Sequence, residues 1–128
     1  MATWDDVRRI ANGLPETAER SGEAVEWRVK DKLFAWERPL RPVDLDELGD
    51  QAPEDPPLAV RVPDLGAKEA LLADAGDVYF TTAHFGGYPI VLVHLDRIDR
   101  AELEELLSEA WLSRAPRRVA KAYLAGSE

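Results

Sequence analysis

The chain has 128 residues, no cysteine and a formal net charge of −9, from 25 acidic against 16 basic side chains. One domain is expected at this length, and disulfides, thiol nucleophiles, Cys-ligated zinc and iron–sulfur clusters are excluded. The longest apolar run, Pro89 to Val93, is far too short to span a bilayer, and no signal peptide stands at the start, so a soluble, cytoplasmic domain is expected.

Thr3 is placed to cap a first helix. Trp4, Val7, Ile10, Ala11 and Leu14 recur there at helical spacing, Asp5 and Asp6 suit its positive end, and Gly13 and Pro15 stop it. After a polar bridge the period falls to two. Val25, Trp27 and Val29 alternate with Glu26, Arg28 and Lys30, which predicts a half-buried strand. Asp31-Lys32 turns the chain into a second arm, Leu33 to Arg38, and Pro39 and Pro42 then deny the ladder its donors. Residues 43–57 carry six carboxylates, no cation and three prolines, and read as a mobile acidic loop.

Leu58 to Val62 predicts a third strand. Asp64 or Gly66 opens a short helix through Lys68, Leu71 and Leu72, with Gly76 in the terminating position. Val78 to Thr82 predicts a fourth strand, His84-Phe85-Gly86-Gly87-Tyr88 a glycine-centred turn, and Ile90 to Leu95 a fifth strand. Asp99 with Glu102 resembles a capping box ahead of Leu103, Leu106, Leu107, Ala110 and Trp111. Pro116 breaks that helix, and a last one from Arg117 to Leu124 exposes a basic run while burying Val119, Tyr123 and Leu124. Strands joined by tight turns are antiparallel. The expected fold is therefore an α+β two-layer sandwich, a mostly antiparallel five-stranded sheet with helices packed on one face, in a single domain over residues 1–128.

Little in this order supports catalysis. His84 sits in a turn and His94 near a strand end, read as facing solvent; they form no i, i+4 pair, and no metal site is expected. None of the four serines stands in a Gly-x-Ser-x-Gly elbow. Asp44 with Asp46, and Glu104 with Glu105, read as solvent-facing neighbours rather than a dry acid–base pair. Gly86-Gly87 opens no helix and so makes no phosphate cradle. Neither an enzymatic activity nor a cofactor is expected.

Cations beside aromatic residues are the remaining signal. The first hairpin carries Arg28, Lys30, Lys32 and Arg38, and Arg114, Arg117, Arg118 and Lys121 form a late run without an anion. A basic β-ribbon can lie along phosphates, so these eight are candidate nucleic-acid contacts on an otherwise repelling body. The alternative is a protein- or small-ligand-binding module. Its groove would lie between the sheet and the acidic loop, with Trp36, His84, Phe85 and Tyr88 as candidate contacts.

Three segments occur in order: Trp27-x-Val29-x-x-Lys32-x-Phe34-Ala35-Trp36, Val78-Tyr79-Phe80-Thr81-Thr82-Ala83-His84-Phe85, and Gly87-Tyr88-Pro89-x-Val91-Leu92-Val93-x-Leu95-Asp96. With a helix ending in Ala110-Trp111, they resemble the MmcQ/YjbR family of small bacterial proteins, from Trp4 to about Val119. The resemblance implies a compact fold similar to the frataxin-like CyaY proteins, no enzymatic activity, and a double-wing arrangement for duplex DNA. The wings would be the hairpins around Asp31-Lys32 and Gly86-Gly87. The second reads Gly87-Tyr88-Pro89, without the tryptophan and the basic or polar residue that many members carry there. A monomer is expected.

Overall fold

The structure, a computed structural model, describes residues 1–126. Six strands form one sheet: β1 (Thr17–Arg20), β2 (Glu26–Val29), β3 (Lys32–Glu37), β4 (Leu58–Arg61), β5 (Tyr79–Phe80) and β6 (Ile90–Val93). Their spatial order is β1-β2-β3-β4-β6-β5, and every neighbouring pair is antiparallel. The expected five strands become six because the polar bridge before Val25 is itself an edge strand. Thr17 to Arg20 alternates between half-buried and exposed and pairs with β2, so it lacks the apolar period-two signal.

Among the described residues five α-helices join this sheet: α1 (Trp4–Asn12), α2 (Pro42–Leu48), α3 (Leu65–Asp74), α4 (Arg100–Arg114) and α5 (Arg117–Gly126). Thr3 caps α1 reciprocally: its hydroxyl accepts from the Asp6 N–H at 3.2 Å while the Asp6 carboxylate accepts from the Thr3 N–H at 3.0 Å. Asp64, not Gly66, caps α3, accepting from the Ala67 N–H at 2.8 Å, and Ala75 rather than Gly76 ends it. Asp99 caps α4 through the Glu102 N–H at 2.8 Å. Glu102 does not complete a capping box; its carboxylate instead accepts from the Tyr79 hydroxyl, tying α4 to β5.

The acidic stretch is not all loop. Proline at the first helical position starts α2, and Asp44, expected at the surface, is buried. Its carboxylate accepts from the Arg41 N–H at 2.9 Å and from Arg41 Nε at 3.2 Å.

The β2–β3 turn is Lys30-Asp31, one residue earlier than expected. Both residues are left-handed, with φ 49° and 70°, which matches the twist of a two-residue hairpin. Further along the same ribbon, Trp27 opposes Ala35 but Arg28 opposes Leu33, so Phe34 is an extra residue. That bulge lets both Phe34 and Ala35 enter the core instead of alternating away from it.

The larger core lies on one face of the sheet. There α1 and α4 lay Val7, Ala11, Leu103, Leu107 and Trp111 over Trp27, Val29, Leu58, Val60, Val91 and Val93. Since β4 and β5 both run antiparallel to β6, they are parallel to each other, and α3 makes the crossover between them. The second face is not bare, as helices on one face alone would leave it. Ala59, Phe85, Ile90 and Leu92 form a smaller cluster there with Trp36, Leu40 and Phe80. On α5, Val119 is buried, but Leu124, expected inside, is 53% exposed.

Candidate nucleic-acid interface

Strand register decides which cations can share a surface. Val29 and Lys32 flank the β2–β3 turn, Thr17 of β1 pairs with Val29, and Arg61 ends β4 on the same side, one residue past the Ala35–Val60 pair. The turn end of the sheet therefore gathers Lys30, Lys32 and Arg61. Helix α4 finishes there too: Trp111 Nε1 donates to the Pro15 carbonyl at 2.9 Å, just before β1 begins. Helix α5 follows, with Arg118, Val119 and Tyr123 around a groove shared with Pro15 and Glu16. Arg38 sits past the opposite end of β3, about 20 Å away along a six-residue strand.

Carboxylates neutralise most of the hairpin cations. Arg28 Nε bonds Glu26 Oε1 at 2.7 Å, Lys30 Nζ lies 3.4 Å from Glu16, and Arg38 lies 3.6 Å from buried Asp44. Arg38 also reaches over the Phe85 ring at 5.5 Å, so it belongs to the second face of the sheet. Lys32 alone of these four is exposed without a carboxylate partner among the described residues.

The late run is different. Among the described residues, Arg114, Arg117, Arg118 and Lys121 have no carboxylate within ion-pair distance, and Arg117, Arg118 and Lys121 are exposed. Arg61, which the sequence did not single out, joins them. It is half-buried with no acceptor among the described residues, and burial, then the Arg114 charge, pulls it below the ordinary arginine value. A cation in the last position of an alternating strand reads as solvated, so only the register brings it forward.

The second tip is not a projecting ribbon. Residues 81–89 fold back as a short 3₁₀ turn over Ala83–Phe85, with Phe85 buried against Trp36 at 6.5 Å between ring centroids. The Lys68 ammonium, buried on α3, donates to the Phe85 and Tyr88 carbonyls, the latter at 2.8 Å, and the Glu47 carboxylate accepts from the Ala83 N–H at 3.0 Å. Burial pushes Lys68 below the usual lysine value. Of the four ligand candidates, Trp36 and Phe85 pack together, while His84 and Tyr88 are exposed on the turn.

A cleft does lie beside the acidic segment, at the end of the sheet away from the β2–β3 turn. It encloses about 580 Å³ between residues 52–57, the start of α1 and the His94–Arg97 stretch. His94, expected in solvent, is only 5% exposed. Its ring stacks on Phe80 at 4.4 Å and has no hydrogen-bond partner among the described residues, while its backbone N–H donates to the Val78 carbonyl at 2.8 Å. Burial, then the Arg97 charge, lowers its pKa, which favours the neutral imidazole. No three His, Asp or Glu side chains among the described residues converge where a metal ion could sit, and no described helix is long and apolar enough to cross a membrane.

The YjbR family model matches residues 12–113. Uncharacterized proteins of Mycobacterium tuberculosis and Mycobacterium bovis are each 54% identical, the match covering 99% of both chains. A crystal structure of a Deinococcus radiodurans protein with a DUF419 domain superposes with a TM-score of 0.60 at 21% identity, covering 88% of this chain and 78% of that one. The last likeness shows the fold alone.

Proposed function

Because the chain belongs to the YjbR family, we propose that it is a non-catalytic domain that binds duplex DNA, as a monomer in the bacterial cytoplasm, through the turn end of its sheet. One observation carries this reading. In a chain of net charge −9, Lys32 on the hairpin and Arg117, Arg118 and Lys121 on α5 cluster at the turn end as exposed cations without a carboxylate partner among the described residues; the other exposed cation without one, Arg97, donates to the Asp77 carbonyl at 3.0 Å. Elsewhere acids hold most of the basic side chains, so the anionic body repels a polyanion least at this end. The hairpin and α5 would follow the phosphate backbone, which gives affinity with little sequence preference. The folded 81–89 turn, lacking a free cation, would act as a spacer rather than as a second wing.

Fluorescence anisotropy with a labelled duplex at low salt tests this. Binding should weaken as salt rises, with a slope of about 0.9 per phosphate contact. An absence of binding at micromolar protein, or a salt-independent signal, overturns it.

A second reading has one specific observation in its favour: the cleft beside buried His94, whose ring has no hydrogen-bond partner among the described residues and, when neutral, would accept a hydrogen bond from a small ligand. Trp4 lines that cleft, so a ligand screen followed by tryptophan emission separates the two readings.

A further inference from the structure

The fold leaves the His94 ring without a partner, although the residue is buried. Phe80 covers one side of that ring, yet neither ring nitrogen is hydrogen-bonded among the described residues. The two nitrogens are not sealed in either. Among the described residues, only Thr82 Oγ1 and Arg114 Nε are both enclosed and unbonded. The opening that His94 borders is the cleft of about 580 Å³, a volume suited to a small molecule. A polar ring this deeply buried normally finds its partner within the protein. Here the cleft is the side from which a partner can come.

The walls of the cleft select the chemistry of that partner. Glu54, Asp55 and Asp96 line it, and none of these carboxylates has an ion-pair partner among the described residues. A neutral imidazole adds one acceptor nitrogen. Arg97 is the one basic side chain on the lining among the described residues, and its guanidinium already donates to the Asp77 carbonyl at 3.0 Å. The cleft therefore offers acceptors and a surplus of negative charge. Half-buried Trp4, with Pro53 and Pro56, supplies apolar surface. Proline fixes its own φ, so the 52–57 wall keeps its shape before anything binds.

We infer that this cleft binds a small organic cation, a protonated amine on an apolar body, which donates one N–H to the His94 ring while Glu54, Asp55 and Asp96 hold its charge. The inference rests on the small-ligand reading of the cleft and gives it a ligand class. It stands apart from the duplex surface, which lies at the opposite end of the sheet.

The test titrates three probes of like shape and different charge against the intact protein: phenethylamine, phenethyl alcohol and hydrocinnamate. At about pH 8 the amine is protonated and the imidazole neutral. Proton–nitrogen NMR of the imidazole rings reads the site directly, because the chain has only two histidines and exposed His84 serves as the internal control. Millimolar phenethylamine should move the His94 ring nitrogens saturably, leave His84 in place, and bind about tenfold tighter than the other two probes. Glu54→Gln with Asp55→Asn should weaken the amine about fivefold and leave the alcohol unchanged. His94→Phe keeps a ring on Phe80 but removes the acceptor, and should weaken the amine about tenfold. Equal binding of the alcohol, or a preference for the carboxylate, overturns the cation class and leaves the small-ligand reading standing. Amine binding that survives both changes overturns the site. If none of the three probes moves His94, the site and the small-ligand reading fall together. Should His94→Phe fail to fold, the wild-type His94 signal and the carboxylate variant decide.

Discussion

Lys68 and Phe85 are seventeen residues apart, yet the buried ammonium of one donates directly to the backbone carbonyl of the other. With the second bond, to the Tyr88 carbonyl, this single side chain closes both turns of the 81–89 connection from inside. Lys68→Met keeps the alkyl stem but strands two carbonyls. The expected cost is about 1.5–3 kcal/mol in urea unfolding, with hydrogen-exchange protection lost first at Phe85 and Tyr88.

Asp44 predicts an acid dependence. Its bond from the Arg41 side chain holds the carboxyl below the ordinary aspartate value in spite of burial. A group depressed in the folded state stabilises above its unfolded pKa, near 3.8, and that contribution is lost as the pH falls through the lower folded value. Wild type should therefore exceed Asp44→Asn in stability at neutral pH, with the gap closing below about pH 4. Parallel urea titrations across that range would show it; a gap independent of pH would contradict the assignment.

The cations should divide into two classes when duplex binding is measured. Arg117→Ala with Arg118→Ala should lower the salt slope by up to about 1.8, two contacts' worth. Arg28→Ala should leave the slope unchanged, because Glu26 already holds that guanidinium at 2.7 Å. Equal effects from both changes would contradict the charge segregation.

The hairpin turn offers a gain in stability. Lys30 and Asp31 both occupy left-handed backbone without being glycine, and Asp31 gives up little beyond an exposed pair with Arg20. Replacing them together by Asn-Gly (K30N/D31G) suits the turn type and should raise stability by about 1 kcal/mol in thermal or urea unfolding.

The apolar patterns made most of this architecture legible. Trp27 and Val29, and Leu103, Leu107 and Trp111, enter the core as their spacing implies. What escaped was polar or context-bound. Strand β1 has no apolar period to read, and α2 hides among carboxylates that look like a loop until Asp44 is seen to fold back onto Arg41. Phe34 follows no alternation because a bulge resets the register. At the candidate interface, the basic run on α5 could be read directly. The quenching of Arg28 and Arg38 could not, since their acids come from neighbouring strand positions and from α2; nor could the emergence of Arg61, which depends on where β4 stops.

The strand order carries a kinetic consequence. Strands β1, β2 and β3 close as successive hairpins with little chain to gather, whereas β4 finds β6 only after the intervening segment with α3 and β5 has looped out and returned. Weakening the β4–β6 seam, for example at Ala59 and Leu92, should therefore slow refolding more than an equal loss at β1–β2, because the search for that distant partner sets the pace.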